Sequence, residues 1–181
     1  MMRCPITPPA FLFLGFSVAL ATPPPAEDPC AAFTWDVTHE RALFGQEAQN
    51  LAAGSAAAAA PTLATDRLYQ LQLRAQTEVA FATQPGKKLP AEGKTYAGFA
   101  SLTVATGGIY RIALDQALWV DVIADDSLVQ AKDFQGRPGC NAPHKIVEFL
   151  LPPGKPITLQ FSGGRVSTVR VSVTRSPAAT S

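Results

Sequence analysis

Charged residues are scarce in this chain. Asp, Glu, Lys and Arg together make up 16% of it, and the formal net charge is +1. So neutral a chain has no field to steer it onto nucleic acid or acidic lipid, and no basic face marks a nucleic-acid partner. Histidine is nearly missing: His39 and His144 are the only two. No Ser sits in a G-x-S-x-G elbow, the strained turn that presents a hydrolase nucleophile. No Gly-containing acidic loop offers the oxygens that calcium requires, and Asp115, Asp121, Asp125, Asp126 and Asp133 read as turn acids. Gly107-Gly108 and Gly163-Gly164 lack a phosphate-binding context and read as hairpin turns. Lys87-Lys88 reads as a solvated turn. Beyond the N-terminal segment, no apolar run reaches the roughly 20 residues a bilayer core demands.

Punctuation, by contrast, is plentiful, with 16 Pro and 13 Gly. Frequent breaks favour many short strands over a few long helices. The N-terminus has the pattern of a cleaved export signal. Arg3 supplies the positive end, Ala10 to Leu20 the apolar run, and Ala19-Leu20-Ala21 the small-residue cleavage site. The expected organisation is therefore a signal peptide over 1–21 and a Pro-rich segment over 22–33. A short helix and an Ala-rich surface linker follow over 34–65, then a β domain over 66–175 and a frayed tail over 176–181. Residues 22–181 suffice for one core, burying roughly 70% of the unfolded surface. A periplasmic or secreted location follows, with no stable membrane span once the signal is removed.

Of three cysteines, Cys4 leaves with the signal. Cys30 and Cys140 remain, an even count for an oxidising compartment, and a disulfide between them is expected. It would pin the N-terminal segment to the loop around Gly139-Cys140-Asn141, stabilising the fold by roughly 4–5 kcal/mol in the chain-entropy picture. The rival reading, an activated thiol with His144 beside Cys140, lacks the surroundings that lower a thiol pKa.

Thr34 to Gln46 is predicted as a helix, capped by Thr34 or Thr38, with Trp35, Ala42, Leu43 and Phe44 as its buried stripe. From Asp66 the apolar period becomes two. Tyr69, Leu71 and Leu73 form one strand face, and Glu78 to Thr83 is predicted as the next strand. Strands are then predicted over Tyr96–Val104, Ile109–Leu114, Leu118–Ala124, Ser127–Ala131, Lys145–Leu151, Pro156–Ser162 and Val166–Thr174. Gly107-Gly108 is expected to join a hairpin, and a long loop over Lys132–His144 to carry Cys140. About nine evenly spaced strands without helical crossovers argue for a mostly β, antiparallel sandwich or jelly roll with a short N-terminal helix. In the strand Leu118–Ala124, Leu118, Val120 and Val122 face one way and Trp119, Asp121 and Ile123 the other. Trp119 is core if buried, and a possible ligand contact if exposed. Arg165, Arg170 and Arg175 are expected to line an edge strand.

Certain segments together resemble a group of small secreted proteobacterial β-sandwich proteins. They are Tyr96-Ala97-Gly98-Phe99, Gly108 to Leu114, Trp119-Val120-Asp121-Val122-Ile123, Gly139-Cys140, Lys145 to Phe149, and Leu159 to Gly163. The resemblance covers Tyr96 to Gly164. Some members carry the label homogentisate 1,2-dioxygenase, which implies iron held by two histidines and a glutamate. Here His39, His144 and Glu148, or Glu40, would be the donors by count, but His39 and Glu40 are adjacent and point about 100° apart on a helix. Where similar sequences carry a His-rich stretch before the loop cysteine, this chain reads Asp133-Phe134-Gln135-Gly136. The strand rhythm also resembles sandwich modules appended to secreted peptidases. The leading expectation is a non-catalytic exported module, without catalytic, cofactor or metal residues, that binds a protein or envelope component. An iron oxidoreductase and a carbohydrate-binding module acting through Trp119 are the alternatives.

Overall fold

Period-two alternation becomes two stacked sheets in the computed structural model, which describes residues 28–88 and 93–177. The predicted signal peptide, the Pro-rich stretch as far as residue 27 and the tail from residue 178 lie outside the described residues. The strands, in chain order, are β1 (Gln49–Ala52), β2 (Thr62–Leu63), β3 (Leu68–Gln72), β4 (Arg74–Ala75), β5 (Tyr96–Thr103) and β6 (Gly108–Leu114). They continue as β7 (Trp119–Ala124), β8 (Ser127–Val129), β9 (Ala131–Gly136), β10 (Lys145–Leu151), β11 (Pro156–Gly164) and β12 (Thr168–Arg175). The first sheet runs β1-β3-β12-β6-β10-β9 and the second β2-β5-β11-β7-β8, with β4 also on β5. The protein is thus a mostly β, two-layer sandwich with one short helix.

The inner faces pack as alternation dictates. Ile112, Leu114, Val147, Phe149, Val171 and Val173 from the first sheet meet Leu102, Val120, Val122, Leu159 and Phe161 from the second. Pairing is mainly antiparallel, but β1 runs parallel to β3 and β2 parallel to β5, so both sheets are mixed. The Ala-rich stretch is no surface linker. Ala53 and Gly54 are buried, and Gly54 exchanges backbone hydrogen bonds with Phe99 of β5. A Cβ on Gly54 would stand 2.7 Å from the Ala59 carbonyl oxygen, so only glycine permits that approach. The sandwich therefore begins before residue 66.

The expected hairpin at Gly107-Gly108 is absent, because β5 and β6 lie in different sheets. Both strands have a buried face, so their alternation is the same whether they pair or stack. The chain crosses between layers at this point, and again from β6 to β7, β8 to β9, β10 to β11 and β11 to β12, so Gly163-Gly164 at the end of β11 is no hairpin turn either. Asp125 and Asp126, read from sequence as turn acids, make a tight hairpin from β7 to β8, at φ 49° and 57°. Glu78 to Thr83 forms no strand. It follows a 3-10 turn, and its polar backbone is met by a side chain: Gln160 accepts from Ala82 N and donates to the Thr83 carbonyl. The first half of the expected loop over Lys132–His144 is strand β9, which reads as polar because it is an exposed edge. Arg170 and Arg175 lie on β12, an interior strand, so the expected arginine-lined edge is overturned.

Residues 28–48 cover the outer face of the first sheet. Helix α1 (Thr38–Phe44) is shorter than the sequence suggests. Thr34 N donates to Gln135 Oε1, and the Asp36 carbonyl accepts from Arg111 Nη1, so tertiary contacts hold residues 34–36 out of the helix. Asp36 rather than a threonine meets the helix start, accepting from Thr38 N at 3.0 Å. Leu43 and Phe44 are buried as expected, but Glu40 replaces Ala42 in the stripe. Val37 and Phe44 pack on Leu68, Ala113 and Ile146. The Cys30–Cys140 disulfide ties this covering segment to the loop before β10.

Candidate functional site

The described residues leave one side of the sandwich unfilled. Among the described residues, β8 pairs only with Val122–Ala124 of β7, so Trp119–Asp121 has no strand neighbour on that side. The first sheet ends there at β9. Phe134 of β9 stands opposite Val147 of β10 and shares its face, and Val147 belongs to the core between the sheets. Phe134 is nevertheless 65% exposed. An inward-facing ring that stays exposed marks interlayer space that the described side chains do not occupy. That space is a cleft of about 260 Å³, walled by Trp119, Val120, Val129, Phe134, Val147 and Phe149. It adjoins a more open hollow of about 470 Å³ that shares Trp119, Phe134 and Lys145 and adds Lys87, Lys88 and Arg165.

Trp119 is half-buried and firmly oriented. Its indole Nε1 donates to Asp121 Oδ1 at 2.7 Å. Asp121 is buried and also accepts from Gly86 N at 3.3 Å and Gln160 Nε2 at 3.4 Å. Two ammonium groups approach the same ring, Lys145 at 5.0 Å and Lys87 at 5.8 Å from its centroid. Lys145 donates one long bond, 3.4 Å, to the Leu118 carbonyl. Partial burial and the neighbouring Lys87 charge push Lys145 below the usual lysine range, while Asp121 acts the other way. Of the described carboxylates only Asp121 lines the cleft, and it is already committed to three donors.

The two histidines take separate partners. His39 pairs with Asp66 at 2.8 Å on the exposed surface beside α1. His144 borders the open hollow, its Nδ1 3.2 Å from the Cys140 carbonyl oxygen. Glu148 accepts from Arg111 Nε at 2.9 Å and from Ser176 Oγ at 2.8 Å. Glu40, 1% exposed, accepts from Thr174 Oγ1 at 2.7 Å, with Arg111 Nη1 3.5 Å away. This buried Arg111 cluster, with Trp35 stacked 5.0 Å from the guanidinium, clamps the covering segment to the first sheet. No group of three or more His, Cys, Asp or Glu is placed to hold a metal ion among the described residues. The candidate donors therefore do not fit the iron site that the resemblance implies.

Trp119 is the one residue of the cleft that sequence singles out as a ligand contact. Lys87, Phe134 and Lys145 are missed in that role. Phe134 carries a signal, a lone aromatic in a polar stretch, but Lys87 and Lys145 resemble any turn or strand-end lysine. No family model matches the chain, and no curated protein matches it. No helix among the described residues is long and apolar enough to cross a membrane.

Proposed function

We propose that this protein is an exported, periplasmic binding module, non-catalytic, that receives a small envelope component in the Trp119 cleft. The signal-like N-terminus supports export. The Cys30–Cys140 bond suits an oxidising compartment. One observation carries the binding reading: Trp119 and the exposed, inward-facing Phe134 flank an apolar cleft that the described residues leave unfilled. A concave apolar site with a few polar groups at its mouth, built on rigid strands, is the usual form of a small-molecule site. A neutral glycan stacked on Trp119 is the second reading, favoured by the half-exposed indole.

The test incubates the purified mature protein with a small-molecule extract of the source cells' envelope. Unbound material is removed, and what stays is identified by mass spectrometry. The expected result is a compound retained by the natural protein and lost from Trp119→Ala and Phe134→Ala. Equal retention by all three proteins, or none by any, discards the cleft as the working site.

A further inference from the structure

We infer that the cleft selects an organic anion with an apolar body, a carboxylic acid, whose chain or ring lies between β7 and β9 and whose carboxylate meets Lys145 and Lys87. The inference rests on the binding reading above and specifies its ligand. The inner wall is apolar: Val120, Val129, Val147 and Phe149 offer no side-chain hydrogen-bonding group to a guest. At its polar end, apart from the committed Asp121, the charged groups are the cations Lys145 and Lys87, with the exposed Gln130 amide also in the lining. A lysine ammonium has three donors and no acceptor, and among the described residues Lys145 makes one long bond.

A sugar fits such a surface poorly. Each hydroxyl needs both donors and acceptors; the one carboxylate of the described lining, Asp121, is occupied by Trp119, Gly86 and Gln160, and the side-chain acceptors left are few: the Gln130 amide, the Ser162 hydroxyl and His144. A neutral apolar guest would fill the wall but leave two like charges, which act on one another, near one indole. An anion at that point relieves their repulsion and gives the half-buried Lys145 a counterion. Lys88 and Arg165 around the open hollow extend the same sign outward, and His144 adds to it only when protonated. Charge complementarity therefore names the head group, and the apolar wall names the body.

The test follows the indole N–H resonance of Trp119, assigned by its loss in Trp119→Phe, while four probes are titrated: octanoate, 1-octanol, octylamine and a neutral oligosaccharide. Octanoate is expected to shift the signal saturably and to bind about tenfold or more tightly than octanol. Octylamine should be weakest. Lys145→Met should erase the preference of octanoate over octanol, and Lys145→Arg should keep it, which separates lost charge from lost folding. Equal binding of octanoate and octanol, or an unchanged preference in Lys145→Met, overturns the inference. If the oligosaccharide alone moves the signal, the acid class is wrong and the binding module stands. If no probe moves it, the inference falls, and the extract experiment decides the binding reading independently.

Discussion

Trp119 donates its indole N–H to Asp121 Oδ1 at 2.7 Å, a bond between residues two apart on one strand, where side chains share a face. Gly86 completes the arrangement from the segment before β5. A Cβ built there would stand 2.9 Å from Asp121 Oδ1 and 3.4 Å from Trp119 Nε1. Gly86→Ala must therefore displace the carboxylate, the ring or the segment itself. The expected outcome is a loss of about 1–3 kcal/mol in chemical denaturation, as for other overpacked sites, together with a shifted indole resonance and weaker ligand binding. Natural stability with an unmoved indole signal would show that the segment yields freely and does not orient the ring.

Lys145 sets the pH response. Its folded-state pKa lies below the ordinary value of 10.5, chiefly through burial and then through Lys87. Between that lowered value and 10.5, the unfolded chain binds more protons than the native one, so stability rises with pH across the window. The penalty for burying the ammonium is in force at neutral pH and is relieved as the group loses its proton. Denaturation of the natural protein and of Lys145→Met, compared from neutral pH upward, should show this rise in the former only. Affinity for an anionic ligand should fall across the same range. Asp121→Asn removes the one charge that opposes the shift, so both changes should begin at lower pH. A difference between the two proteins that stays flat with pH would contradict the assigned surroundings of Lys145.

Arg111 stands between the buried Glu40, 3.5 Å away, and the partly buried Glu148, 2.9 Å away. Arg111→Met would leave both without a cation in an interior position, and a buried pair broken from one side costs about 3–5 kcal/mol. The loss should be local first. The covering segment, residues 28–48, should become open to protease before the sandwich melts, because the Asp36 carbonyl and the Trp35 ring also lose their partner. Limited proteolysis and a denaturation curve read the two effects. A uniform loss with a protected segment would place the cluster's role in the sheet rather than in the clamp.

Much of this architecture was legible in the chain because alternation survives any pairing. Lys145–Leu151 occupies the predicted span, and the faces of Val120 and Asp121 are as alternation demands. Alternation says which side is buried but not which strand lies beside it, so Gly107-Gly108 reads as a hairpin where the chain changes sheets. Edge strand β9 and the irregular Val79–Thr83 were misread for opposite reasons. The first is polar yet hydrogen-bonded as strand, while the second is strand-like in composition but met by the Gln160 side chain. The cleft was legible only at Trp119. Lys87, Phe134 and Lys145 come from three separate segments, and only the crossing pattern of the two sheets brings them together.

The disulfide tests how the covering segment is held. Cys30 and Cys140 are 110 residues apart, and closing so long a loop costs the unfolded chain about 4–5 kcal/mol in the chain-entropy picture, a stabilisation of the fold that is lost when the bond is removed. In the folded protein the same junction has further ties. Arg137 Nε donates to the Ala32 carbonyl at 2.6 Å, and Gln135 bonds Thr34 through both ends of its amide. Replacing both cysteines by alanine should therefore lower Tm and the denaturation midpoint strongly. Below Tm, the segment should stay docked and the cleft's ligand affinity unchanged, because the bond's effect falls mainly on the unfolded ensemble. Hydrogen exchange across residues 28–48 is the measurement that separates the two levels. If those amides lose protection while the sandwich remains folded, the bond holds the segment in place directly, and the polar ties around Arg137 and Gln135 do not suffice.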